Sequence, residues 1–458
     1  MKQSAWSTAV STFTDRAFLE KAFKIAIPIA MQNMLNTLVN LVDTLMIGRL
    51  GATSIAAVGL ANKYFFVFSL FVFGICSGSG ILAAQYWGSK NAPMVRKVLG
   101  FAELLALFGA ALFFLPAFFR PDIVMAIFTN DPQSQAVGAS YLRIACLTYP
   151  FIASSNVIVA MLRTVKRVKV PVVTSLIAIG INCMLNAILI FGLFGAPALG
   201  VRGAAIATLT ARIIELALLL IVIFWPGSAF RARPSAFMGW HPQFLKLFAV
   251  NATPVILNEF MWGLGTTLYS VAYGRMGNDA VAAITIATTI QDIVIVLWAG
   301  LSAATAVILG NQLGAGDLEE AEEDSIKFFT LSAALGVLAM LVIYVIRGPM
   351  ISFYDITPEV AFDVHACLTV FILYLIPRTY NYIMVVGVLR SGGDTRMCLF
   401  LDTSGVWFFG VPLAFLGAMV WKLPIYYVYA LVMSEEIYKM ILGTIRYRKK
   451  KWIKNLAL

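Results

Sequence analysis

Apolar stretches of about twenty residues recur twelve times along this chain, centred near residues 33, 68, 108, 150, 182, 214, 259, 294, 337, 376, 410 and 434. A helix rises about 1.5 Å per residue and a bilayer core is roughly 30 Å thick, so each stretch is long enough to cross. Transmembrane β-strands are about half as long and alternate in polarity; these runs do neither. The pattern predicts an all-α membrane protein of twelve transmembrane helices.

The pattern also repeats. Gly48 to Ala61, GRLGATSIAAVGLA, lies over Gly274 to Ala287, GRMGNDAVAAITIA, 226 residues on, with six of fourteen positions identical. The same shift lays Pro28 on Pro254 and the QYWG ending at Gly88 on the NQLG ending at Gly314. A shift of 227 lays Pro150 on Pro377 and Leu162-Arg163 on Leu389-Arg390. A register kept over more than 130 residues marks a duplication. Each copy holds six spans, an even number, so the two insert in the same orientation, as in secondary transporters built from parallel repeats. Residues 1–225 are expected to form one six-helix lobe, 226–242 a flexible cytoplasmic crossover, and 243–458 a second six-helix lobe with a basic cytoplasmic tail.

Composition agrees: 60% of residues are hydrophobic and 12% charged. The net charge of +11 does not indicate nucleic acid, because 23 of the 34 Lys and Arg fall on the side of the termini and six on the other. That asymmetry places both termini in the cytoplasm of a multi-pass cell-membrane protein. The five cysteines read as small core residues, and the two histidines, His241 and His365, both outside the span centres, offer no basis for a histidine metal site or haem. No cofactor is expected, and the partners are small molecules and the bilayer, with the chain acting as a monomer. No Walker-type phosphate loop or nucleophile–base pair occurs, so the chain is not read as an enzyme. The acidic run GAGDLEEAEEDSIKFF after the eighth span is expected to be a short solvated helix on the membrane surface.

The first span is unusual. Asn33, Asn36, Asn40 and Asp43 recur at spacings of three, four and three, which puts them on one helical face. An acid at the bilayer centre costs at least about 2.5–3.5 kcal/mol, so such residues normally face a cavity. Asn182 and Asn186 of the fifth span, Thr208 of the sixth and Ser154, Ser155 and Asn156 of the fourth are available to complete a cluster. One carboxylate with several amide and hydroxyl oxygens would hold Na⁺; a carboxylate in a dry pocket would instead carry a proton. In the second half, Glu259 takes the repeat position of Asn33 and Tyr269 that of Asp43. Glu259 or Asp292 is expected to form a buried ion pair with Arg378. Arg212 with Glu215, and Glu435 with Lys439, should neutralise each other along their own helices, and Glu103 and Asp402 should reach water at the cytoplasmic span ends.

VDTLMIGRLG followed by AAVGLA, the QYWG and NQLGAGD loops, LR after the fourth and tenth spans and GVRGAAIAT opening the sixth resemble the multidrug and toxic compound extrusion (MATE) family, over nearly the whole chain. The resemblance implies two six-helix lobes around a central cleft and export of organic compounds in exchange for H⁺ or Na⁺. By motif position Asp43 resembles the first-helix coupling aspartate of bacterial members. Asn182, Asn186 and Thr208 sit where the amino-terminal lobe's polar cluster lies, although many relatives carry aspartate at the position of Asn186. Glu259 matches a seventh-helix glutamate of members that use the carboxy-terminal lobe. Those members also carry a tenth-helix aspartate, where this chain has Thr379 beside Arg378.

Three other classes fit the sequence less well. A lipid-linked precursor flippase would need basic residues facing pyrophosphate, and only Arg378, Lys63 and Arg143 offer themselves. A major-facilitator transporter would carry a Gly-, Asp- and Arg-rich loop after its second span, absent from GSKNAPMVRK. A non-transporting receptor or scaffold needs neither the even-span duplication nor the polar first helix.

Overall fold

A computed structural model of the protein describes residues 5–457 except Asp355, with the side chains of Ala5, Trp6, Leu41 and Ala52 left aside. Among the described residues there is no strand, and twelve long helical stretches lie where the apolar runs predict them. The first half contains Arg16–Gly48, Ala52–Gly88, Ala92–Phe119, Pro132–Thr164, Lys169–Phe191 and Val201–Phe224. The second contains Pro242–Gly274, Asn278–Ala315, Leu318–Ile351, Pro358–Leu389, Thr395–Val420 and Ile425–Arg448. Ten are long and apolar enough to cross a membrane. The other two, the seventh and twelfth, carry charge in their middles: Glu259 in one, and Glu435, Glu436 and Lys439 in the other.

The third span shows how sequence sorts the faces of such a helix. From Ala102 onward its buried side is small (Ala102, Ala106, Gly109, Ala110 and Ala117), while Leu104, Leu107, Phe108, Leu112 and Leu115 are exposed. Small residues let helix backbones approach, and large apolar ones suit lipid.

The helices group into two compact units. One comprises Met1–Ala30, Ala84–Ser89 and Thr253–Leu458, the other Met31–Ala83 and Lys90–Ala252. The division passes through the first span just beyond Pro28, which the helix carries internally as the seventh carries Pro254. Proline deletes one backbone hydrogen bond and loosens the helix there.

Within the first unit, the repeated glycines have a shared purpose. A Cβ on Gly314 would lie 1.9 Å from the Gln85 carbonyl oxygen, and one on Gly88 1.9 Å from that of Asn311. Each glycine of the QYWG and NQLG motifs thus makes room for the backbone of the other motif. Gly316, with φ 91°, then ends the eighth span in the left-handed cap that glycine tolerates.

The acidic run is no separate surface helix: it is the start of the ninth span, Leu318–Ile351. Its acids meet bases from distant parts of the same unit. Lys21 lies 3.2 Å from Glu320 and 3.4 Å from Asp324, Lys327 2.8 Å from Asp15 and 3.3 Å from Asp324, and Lys450 pairs with Glu322. Gln312 donates to both Glu320 and Asp324 at 2.7 Å. Glu319 and Glu320 also stand in the first helical turn, where the helix dipole favours anions. The bonded Lys327 ammonium holds the Asp15 carboxyl below its usual range.

The two polar connections are packed rather than loose. In the crossover, Trp240 donates to the Lys97 carbonyl at 3.0 Å, Arg96 donates to that of Ala229 at 2.9 Å, and Phe230 is buried. Beyond the twelfth span, Trp452 is fully buried and stacks on Tyr447 with ring centroids 5.8 Å apart. Gln85 donates to the carbonyls of Ser391 at 2.7 Å and Lys454 at 3.1 Å and accepts from the Leu456 amide at 2.5 Å. Polar composition marks these segments as non-spanning, but buried aromatics and side chain-to-backbone bonds tie them down.

The glycine crossing gives a direct test. Gly314→Ala should cost about 1–3 kcal/mol through overpacking against backbone that cannot yield. Gly59→Ala, where a Cβ meets nothing within 4 Å, should be neutral or stabilising. Thermal melting in detergent checks both, and equal melting points for the two variants would refute the assignment.

Candidate functional site

The second unit contains a partly open cavity of about 430 Å³. Asn36, Asn40, Asp43 and Thr44 of the first span line one side of it. Ser175 and Asn182 of the fifth span and Thr208, Arg212 and Glu215 of the sixth line another, with Phe65, Tyr141 and Tyr149 supplying aromatic wall. The stripe spacing explains the first of these contributions: residues three and four apart in a helix share a face. Asn33 is half-buried one turn earlier and does not line the cavity.

Asp43 is held from the fifth span. Asn186, fully buried, donates to its Oδ1 at 2.5 Å and lies 3.2 Å from the Asn182 Oδ1. Asn182 in turn donates to the Thr208 hydroxyl at 3.2 Å, which donates to the Ala204 carbonyl at 3.0 Å. The partner of Asp43 is therefore a neutral amide. Among the described residues it forms no ion pair, and the Asn186 Oδ1 beside it is buried without a partner. A carboxylate, an open amide oxygen and neighbouring amide and hydroxyl oxygens make a donor set suited to a hard monovalent cation or to a proton. Asn36 and Asn40 face the same space without bonding to Asp43. No group of three His, Cys, Asp or Glu among the described residues is arranged to hold a metal ion, so any cation must be met mainly by amide and hydroxyl oxygens.

Arg212 and Glu215 neutralise each other at 2.7 Å, as their spacing predicts. Their surroundings were not legible in the sequence. Ser175 donates to Glu215 at 3.0 Å, Gln32 donates to Ser175 at 3.1 Å, and Arg163 donates to the Gln32 Oε1 at 2.6 Å. Four helices are thus joined by one buried polar chain. Gln32 stands three turns before Asp43 on the same side of the first span but outside the three-four-three row that begins at Asn33, and Ser175 is a lone serine in an apolar run, so neither carries a one-dimensional signal.

The second-half candidates do not form one site. Glu259 pairs with Arg390 at 2.8 Å, not with Arg378. Arg378 lies 3.4 Å from the Gln291 Oε1 and 5.6 Å over the Phe371 ring, and Asp292 is exposed and unpaired with it. Thr379 is buried and donates to the Ile376 carbonyl at 3.1 Å, within its own helix. Asp402, expected to reach for water, accepts from Asn258 at 2.9 Å. Arg378 stands beside the Thr379 position, but a helix turns about 100° per residue, and Arg390, twelve residues and about three and a third turns on, is the base that meets Glu259. Glu435 does pair with Lys439, at 3.3 Å, and Glu436 joins them at 3.2 Å while the Tyr269 hydroxyl donates to Glu435 at 2.6 Å.

Twelve long helices in a duplicated order, ten of them apolar enough to cross a membrane, with a carboxylate that makes no ion pair among the described residues beside a cavity inside one half, define a polytopic membrane transporter. The sequence signature of the MatE family matches twice, over residues 28–188 and 254–416, once per repeat. The chain belongs to that family of multidrug efflux transporters. It is 24% identical over 446 residues to the probable multidrug resistance protein NorM of Thermotoga maritima, covering 96% of this chain and 94% of that one. It is 25% identical over 403 residues to the probable multidrug resistance protein YoeA of Bacillus subtilis, covering 87% of each. An outward-facing multidrug resistance MATE family transporter of the MOP superfamily has the same fold, with a TM-score of 0.86 and 18% identity over 94% of this chain and 95% of that chain.

The Glu259–Arg390 pair makes a prediction. Arg390→Met should destabilise the protein by about 3–5 kcal/mol by stranding a buried carboxylate, and adding Glu259→Gln should recover part of that loss. Chemical denaturation of single and double variants reads the coupling; additive losses would exclude the pair.

Proposed function

We propose that the protein is a secondary active antiporter that exports amphipathic organic cations across the cell membrane in exchange for H⁺ or Na⁺, as a monomer with cytoplasmic termini. It needs no cofactor beyond the coupling ion, and works by alternating access. The observation that carries this reading is Asp43, a carboxylate on a cavity wall whose bonded partner is an amide and which makes no ion pair among the described residues. A coupling ion drives transport only if it binds two states with different affinity. A carboxylate that is bare in one state and protonated or cation-bound in the other supplies that difference. Asn182, Asn186 and Thr208 act as supporting ligands or hydrogen-bond partners, and Asn36 and Asn40 as polar wall on the path to them. The aromatic wall suits flat apolar groups, and the acid suits a cationic one.

The lipid-linked flippase reading fares worse at this cavity. A pyrophosphate ligand calls for clustered bases, and the one base on the wall, Arg212, is already engaged by Glu215.

In proteoliposomes, Asp43→Asn should lower uphill export of an organic cation under an imposed H⁺ or Na⁺ gradient by at least about tenfold, because loss of the ion's differential affinity removes the driving force. Downhill substrate exchange should largely survive, since the amide imitates the neutral acid. Undiminished uphill export by a correctly folded Asp43→Asn protein would remove Asp43 from the mechanism.

A further inference from the structure

The first and fifth spans are joined by two rungs, not one. Gln32 bonds to Ser175, and Asp43 bonds to Asn186; in both pairs the partners stand 143 residues apart in sequence. On each helix the rungs are therefore eleven residues apart, about three full turns and roughly 16 Å, so both lie on the same faces of two helices running in parallel. Rotating or sliding either helix breaks both rungs together.

The duplication shows which rung is the constant one. Shifted by 226, Gln32 falls on Asn258; shifted by 227, Ser175 falls on Asp402 and Arg163 on Arg390. In the other unit Asn258 donates to Asp402 at 2.9 Å, and Arg390 bonds to Glu259, the residue next to Asn258. The lower rung, with an arginine from the fourth or tenth span beside it, is thus present in both halves with different side chains. The upper rung is not. Asp43 falls on Tyr269 and Asn186 on Leu413, and the Tyr269 hydroxyl turns instead to Glu435 of the twelfth span.

We propose that Gln32 and Ser175, steadied by Arg163, are positioning residues that set the register and rotation of the first span against the fifth, and so hold Asp43 within reach of Asn186. This rests on the reading of Asp43 as the ion-binding carboxylate. The lower rung in the first half also touches the cavity wall, because Ser175 donates to Glu215. Its second-half counterpart holds two helices together with no carboxylate–amide rung three turns above it.

The test separates register from mere stability. Half-maximal ion concentration and maximal rate are measured for gradient-driven export, titrating Na⁺ and, separately, pH. Gln32→Leu keeps the bulk and removes the bonds; Ser175→Ala removes the hydroxyl with almost no change in volume and serves where the first variant does not fold. Each should raise the half-saturating concentration of the coupling ion by about two- to tenfold, as expected for a binding site that must be re-formed at the expense of one net hydrogen bond. The maximal rate should stay near wild type. Ser175→Thr, which keeps the hydroxyl, should restore the wild-type value. Asn258→Leu, at the equivalent second-half rung, should lower the melting point without moving ion affinity. A folded Gln32→Leu or Ser175→Ala protein with wild-type ion affinity overturns the register proposal. Uphill export by Asp43→Asn would instead overturn the reading on which it rests, so the two failures are told apart.

Discussion

Hydrocarbon offers no hydrogen bonds, so every polar group taken into the bilayer must find its partner inside the protein. The interior of this chain is organised by that demand. Apolar side chains fill the space between helices, and Ala and Gly let backbones close up. Helix pairing is specified by a few polar rungs: Gln32 to Ser175, Asp43 to Asn186, Asn258 to Asp402, Glu259 to Arg390 and Tyr269 to Glu435. A leucine packs nearly as well against many neighbours; a buried amide or carboxylate is satisfied by few.

Among these rungs the one at Asp43 differs in kind. Glu215, Glu259 and Glu435 each have a cationic side chain within the protein. Asp43 has an amide, with a buried carbonyl oxygen left open beside it. Fixed ion pairs are costly to assemble and settle into one arrangement. A carboxylate without a fixed cation keeps the ability to exchange one, which is what a coupling site requires. The two halves share an architecture yet divide their chemistry, because the second half puts Tyr269, bonded to a Glu435–Lys439–Glu436 ion-pair cluster, where the first half keeps an acid and amides.

Polar segments outside the spans obey the same economy in water. The acidic start of the ninth span is unusual for a segment beside so many bases until its partners are placed: Lys21 from the first span, Lys327 one turn on and Lys450 beyond the twelfth. The basic residues of the tail therefore do more than mark an orientation, since some neutralise acids and the segment buries Trp452.

The sequence by itself determined the class and the frame. Twelve apolar runs of bilayer length, the 226-residue duplication and the row ending at Asp43 are all one-dimensional signals, because helix length, repeat shift and the 3.6-residue period are properties of a single strand of chain. Short-range pairs such as Arg212 with Glu215 and Glu435 with Lys439 were legible for the same reason. Only the tertiary structure decided which helix faces which. It gave Glu259 to Arg390 instead of Arg378, carried the acidic run into the ninth span, and joined Gln32 to a serine 143 residues away. Those outcomes depend on how each helix is rotated about its axis against its neighbours. In an interior where most faces are apolar, periodicity leaves that rotation undefined until a few polar groups find one another.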